Sequence, residues 1–178
     1  MTTRSLLTIT FAVALAAAGT VWIKSLVPPD SPSGSLQFLS AAGELPVYDE
    51  AGAKTDLASQ KGKISIIHFW ATWCPPCVDE IPALSHFWET YQKKDGLNLY
   101  AISVDKDWKT VDDFMKKHPS QIPLYRDPDA AVAKRFGTVQ YPETYVVNEK
   151  GRVLLRVPGA VNWSDPDFRS RIDQLLAS

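Results

Sequence analysis

The chain has 178 residues, of which 45% are hydrophobic and 22% charged, and its formal net charge is −1. This is an ordinary globular composition; it excludes a collagen-like chain, a fully disordered one and a polytopic membrane protein. Near-neutral charge gives no general attraction to nucleic acid or anionic lipid, and two cysteines allow one disulfide at most, so the chain is not a disulfide-stapled scaffold.

The first feature along the chain is an uncharged stretch, Ser5–Ile23, bracketed by Arg4 and Lys24. As a helix rising about 1.5 Å per residue it would span about 28 Å, close to the roughly 30 Å of a hydrocarbon core. A cleavable signal peptide would use Leu6–Leu15 as its apolar core and Ala16-Ala17-Ala18 as its small-residue site. Apolar character continues through Val21, Trp22, Ile23, Leu26 and Val27, which favours an uncleaved anchor over residues 1–27. Either reading sends the remainder out of the cytoplasm, with Arg4 and the α-amino group favouring a cytoplasmic N-terminus. Residues 28–35, PPDSPSGS, have linker composition, so the folded domain is expected over 36–178.

Within that domain, Leu45–Tyr48 predicts a short strand and Asp49–Lys54, with Ala51-Gly52, a turn. Ile64–Trp70 is a β-branched and aromatic run without alternation, as in a central strand covered on both faces. Pro75–Lys94 has helical spacing, with Val78, Ile81, Leu84, Phe87, Trp88 and Tyr91 on one broad face, and Pro82 predicts a kink. Leu97–Val104 reads as a second buried strand. Asp107–His118 reads as a helix stopped by Pro119, and Asp129–Phe136 as a short helix stopped by Gly137. Glu143–Val147 and Arg152–Val157 predict a hairpin around Asn148-Glu149-Lys150-Gly151, and Asp165–Leu176 a last helix. The order predicts an α/β domain: a central mixed sheet with helices on both faces.

The central strand runs into Trp73-Cys74-Pro75-Pro76-Cys77 at a helix start. Unpaired N–H groups and the positive end of the helix dipole stabilise a thiolate there, and a cysteine one turn on can attack a mixed disulfide. On this reasoning Cys74 is the exposed thiol and Cys77 the buried one. A zinc site would need two more Cys or His ligands, and His68, His86 and His118 are isolated, so no metal is expected; an inert structural disulfide remains open. His86 and His118 read as solvated helix residues.

FWATWCPPC at 69–77, with Pro82 five residues beyond Cys77, resembles the thioredoxin superfamily. FWATWC, KGK at 61–63 and the apolar N-terminus narrow the resemblance to the TlpA/ResA/CcmG-like membrane-anchored thioredoxins. Tyr141-Pro142-Glu143-Thr144 resembles the family's cis-proline segment, in the PET form of CcmG-like members. The resemblance covers about Leu45 to Leu176. It implies a thioredoxin-like fold, Cys74 as nucleophile, Cys77 as resolving thiol, and no cofactor beyond the redox-active disulfide Cys74–Cys77. It implies a cis Tyr141–Pro142 bond, whose exposed backbone pairs with an extended substrate, and Trp73 as a docking platform beside the thiol. One position departs from the family: His68 stands where thioredoxin has a buried Asp and the TlpA group more often Asn. A His beneath Cys77 could take its proton, or simply be a buried, hydrogen-bonded residue. Glu143 is a candidate substrate-side acid or base, against a solvated strand-end carboxylate.

Pro75 and Pro76 remove two N–H donors from the neighbourhood of the Cys74 thiolate, and the dipeptide adds no cation. A less stabilised thiolate means a more reducing couple. The expected function is therefore an extracytoplasmic disulfide reductase, tied to the inner membrane by its anchor. The resemblance implies cytochrome c maturation: reduction of an apocytochrome c Cys-x-x-Cys-His disulfide, with electrons from a DsbD- or CcdA-like transmembrane donor. Other readings are a general periplasmic reductase for clients such as copper-centre assembly proteins, a disulfide oxidase or isomerase, and a non-enzymatic copper carrier. No nucleic-acid partner is expected.

Overall fold

The computed structural model describes residues 43–59 and 62–178. The anchor or signal segment expected over 1–27, the linker over 28–35 and the expected domain start at 36 lie outside the described residues. Among the described residues no helix is long and apolar enough to cross a membrane.

The sheet is built around β3 (Ile64–Trp70), in which every residue is buried. It pairs in parallel with β4 (Leu97–Ser103), from Ile64 opposite Leu97 to Trp70 opposite Ser103. On its other side it pairs antiparallel with β6 (Glu143–Asn148), with His68 opposite Thr144 and Phe69 opposite Glu143. β7 (Val153–Pro158) closes that side as a hairpin with β6. On the far side β5 (Leu124–Arg126) runs parallel to β4 and meets β1 (Pro46–Tyr48), itself in a hairpin with β2 (Lys54–Asp56). The order is β2-β1-β5-β4-β3-β6-β7, a mixed sheet as the sequence predicts.

Parallel neighbours need crossover connections. α1 (Pro75–Tyr91) joins β3 to β4, and α2 (Trp108–Met115) leads from β4 towards β5. Side chains alternate between faces along β3. His68 and Trp70 meet α1 and α2, with Trp70 5.5 Å from Phe114 between ring centroids. Phe69 points the other way, 5.4 Å from Phe136 at the end of α3 (Ala131–Arg135). α4 (Pro166–Ala177) packs its Phe168 against Phe87 of α1 and against Trp163, at 6.2 and 5.4 Å. The helices therefore cover both faces.

β2 and β5 are absent from the sequence prediction. Each has three residues, too few to show a period, and Lys54-Thr55-Asp56 is polar throughout. α3 begins later than predicted, because Ala130 takes a left-handed conformation (φ 50°) ahead of it. The buried Asp127 side chain accepts from the N–H groups of Ala131 and Ala133, both at 2.9 Å. α2 starts at the predicted place because Asp107 caps it, accepting from Thr110 N at 2.8 Å. α1 ends at Tyr91 rather than Lys94, with Pro82 accommodated inside it.

Candidate active site

Cys74 is the N-cap of α1, in an extended conformation, and Pro75 and Pro76 follow it. A first-turn N–H has no helical partner, so the prolines cost this helix no hydrogen bond there. Cys74 and Cys77 form a disulfide with a Cα–Cα distance of 5.3 Å. In this oxidised form both are buried: Cys74 retains 4% exposure and Cys77 none. Cys77 is buried as expected, whereas Cys74, expected to be exposed, is not exposed in this form.

The loop between β3 and α1 is held from below by Asp105, which the sequence reading missed. Its buried carboxylate accepts from Thr72 N (2.9 Å), Thr72 Oγ1 (2.8 Å) and Ser103 Oγ (2.7 Å). An acidic residue two positions past the last residue of a buried strand was the available signal.

The Tyr141–Pro142 bond is cis. It lies immediately before β6, which pairs with the strand that delivers Cys74. Trp73, one residue before Cys74, is 64% exposed and meets Tyr141 edge-on at 6.0 Å. This contact joins the loop that carries the disulfide to the loop that carries the cis proline. Among the described residues the two exposed large apolar side chains are Trp73 and Val139 (88%), one on each loop. Burial, reinforced by the negative charges of Asp127 and Glu143, raises the Tyr141 phenol above its ordinary value, so it stays a neutral contact surface.

A buried polar chain links β6, β3 and α1. Thr144 sits opposite His68 in the register, and its Oγ1 is 2.9 Å from His68 Nδ1. His68 Nε2 is 3.2 Å from Glu80 Oε1. Neither atom has a hydrogen-bond partner among the described residues. Glu80 Oε2 accepts from Val161 N and from the indole of Trp163, both at 2.9 Å. Trp163 also packs edge-on against the His68 ring at 5.6 Å. Sequence reasoning missed Glu80. It stands three residues after Cys77, hence on the same helix face, beside Ile81 and Leu84 on a face that is otherwise buried and apolar. A carboxylate on such a face was the signal.

Glu143 is neither solvated nor beside His68. The strand period of two puts it on the opposite face of the sheet, fully buried, with Oε1 accepting from Arg156 Nε at 2.7 Å. This carboxylate raises the Arg156 guanidinium above its ordinary value. Of the other histidines, His86 is exposed and 3.7 Å from Glu89, and His118 stacks on Phe114 at 4.3 Å. Among the described residues no three His, Cys, Asp or Glu side chains gather as a metal site.

The sequence model of the AhpC/TSA family matches residues 39–156, more than half of the chain. The thiol-disulfide oxidoreductase ResA of Bacillus subtilis is 30% identical over 125 residues, covering 70% of this chain and 69% of that protein. ResA of Bacillus thuringiensis subsp. konkukian is 29% identical over 113 residues. There the match covers 64% of this chain and 65% of the relative, just under two thirds of its length. A crystal structure of a thioredoxin-related protein from Neisseria meningitidis serogroup B superposes with a TM-score of 0.62 at 25% identity, over 74% of this chain and 99% of that one.

Proposed function

We propose, from the premise that this chain belongs to the AhpC/TSA family of the thioredoxin superfamily, that it is an extracytoplasmic thiol-disulfide oxidoreductase working as a reductase of protein disulfides. The observation that supports this reading is the Trp73–Tyr141 contact, which joins the residue before Cys74 to the residue before cis-Pro142. The names of the ResA relatives, thiol-disulfide oxidoreductases, agree with it.

In the reduced protein the Cys74 thiolate attacks a client disulfide. A Cys74–client S–S bond forms, the client S–S bond breaks, and the first client thiolate leaves and takes a proton. Cys77 then gives its proton to the buried His68–Glu80 pair, and its sulfur attacks that of Cys74. The mixed disulfide breaks, the second client thiolate leaves and is protonated, and the Cys74–Cys77 bond forms. Two electrons have passed to the client, and a donor dithiol must return them. Tyr141 and cis-Pro142 hold the client as an extended strand, with Trp73 as its apolar platform.

The client we favour is an oxidised Cys-x-x-Cys-His segment of apocytochrome c, with a DsbD- or CcdA-like membrane protein as donor. The apolar stretch Ser5–Ile23 supports an anchored location near such partners. The test is to mix reduced protein with a peptide carrying an oxidised Cys-x-x-Cys-His sequence and to count peptide thiols by mass spectrometry. Two thiols per peptide are expected with wild type, none with Cys74→Ser, and a trapped Cys74–peptide adduct with Cys77→Ala. Absence of peptide thiols with wild type would overturn the reading.

A further inference from the structure

Glu143 and Arg156 lie on the sheet face away from the disulfide's proton acceptors, so the resolving step gives them no task. Their contacts lead instead to the segment before cis-Pro142. Arg156 binds Glu143 through Nε, and its Nη2 donates to the Gly137 carbonyl at 3.4 Å. Its guanidinium lies 5.7 Å from the centre of the Tyr145 ring. The Tyr145 hydroxyl donates to the Phe136 carbonyl at 3.0 Å and is 3.1 Å from Thr138 Oγ1. Gly137 has φ +75°, a left-handed turn where a side chain would be strained. At the other end of the segment, Gly159 N donates to the Pro142 carbonyl at 2.9 Å.

Residues 137–142 are thus held at their first residues by side chains of β6 and β7 and at their last by β7's backbone extension. Between these anchors stand exposed Val139 and half-buried Tyr141. We propose that Arg156 is a positioning residue for client docking: with Glu143 orienting its guanidinium and Tyr145 beside it, it fixes the loop that presents the cis-proline edge. This rests on the reading of that edge as the client site. A bidentate guanidinium suits the task because its planar fork holds a carboxylate and a carbonyl in fixed relation, which a lysine cannot do.

The test compares a peptide disulfide, which needs the loop, with dithiothreitol exchange, which does not. Arg156→Gln is expected to raise KM for the oxidised peptide about tenfold, with kcat and dithiothreitol exchange little changed. Arg156→Gln alone strands a buried carboxylate, so the double variant Glu143→Gln/Arg156→Gln restores neutrality without the Gly137 anchor. Its KM is expected to stay raised, whereas a role confined to neutralising Glu143 would return it to the wild-type value. Tyr145→Phe, which removes the hydroxyl contacts to Phe136 and Thr138, is expected to raise KM in the same direction. Wild-type KM in the double variant, or an equal loss in dithiothreitol exchange, would overturn the inference. Inactivity of the wild type on the peptide would instead remove the underlying function.

Discussion

Glu80 on α1 and His68 on β3 face each other at 3.2 Å inside the protein, with both side chains closed to solvent. A lone buried carboxylate is costly, and a buried imidazole partner offsets that cost. Glu80 stands three residues after Cys77 on the same buried face of α1, and in the proposed mechanism Cys77 loses its proton in the resolving step.

His68→Asn and Glu80→Gln are therefore expected to slow mixed-disulfide resolution more than its formation. An ordinary thiol of pKa about 8.5 is roughly 3% thiolate at neutral pH, so a proton acceptor is worth up to about thirtyfold here. Stopped-flow measurement of formation and decay separates the two steps. Equal effects on both would reduce the pair to a packing element.

The Cys74–Cys77 couple is expected to lie near that of thioredoxin, about −270 mV, rather than that of DsbA, about −120 mV. Pro75 and Pro76 deprive the Cys74 thiolate of two N–H donors, while the helix dipole still favours it, so a moderate value follows. Equilibration against a glutathione or dithiothreitol series, quenched and read by mass, gives the potential. A value more oxidising than about −180 mV would favour an oxidase or isomerase.

Asp105→Ala leaves the Thr72 N–H and two hydroxyls without their buried acceptor. A loss of about 2–4 kcal/mol is expected, given that hydrogen bonds to charged groups each contribute about 1.5–3 kcal/mol. Asp105→Asn keeps the oxygen that accepts from Thr72 N and Ser103 Oγ, and the Thr72 hydroxyl can rotate to accept from its amide, so its loss should be clearly smaller. Urea unfolding of both variants decides; identical losses would show that charge, not the hydrogen-bonded latch, is what matters.

Asp127 sets a pH dependence. Burial holds its carboxyl above the ordinary value of 3.8, partly opposed by the N–H groups of Ala133, Val132 and Ala131. An acid whose folded pKa is raised binds its proton more tightly in the fold. Its stabilising contribution is complete below 3.8 and is lost as the pH rises through the higher folded value. Relative to Asp127→Asn, the wild type should therefore lose stability between pH 3.8 and neutrality, as urea midpoints across that range would show. A difference that stays flat, or that moves towards the wild type, contradicts this assignment.

What the sequence determined by itself is local in origin. Ile64–Trp70 is a strand because a run of β-branched and aromatic residues suits an extended chain buried on both sides, and its limits are those predicted. The helix start at Cys74 is written in Pro75-Pro76, and the cis bond in the segment around Pro142 was legible through resemblance. The partnerships across elements come from the folded packing instead. His68 was visible as an anomaly, but its partner Glu80 depends on how α1 rolls over β3, which short-range pattern does not encode. Glu143 was visible beside Pro142, yet its role turns on register: with Phe69 opposite Glu143 and His68 opposite Thr144, the two side chains lie on different faces. A slip of one residue would exchange those faces, because side chains alternate with a period of two. The buried polar groups found partners where packing brought donors and acceptors together, and that is set by the folded whole rather than by neighbours in the chain.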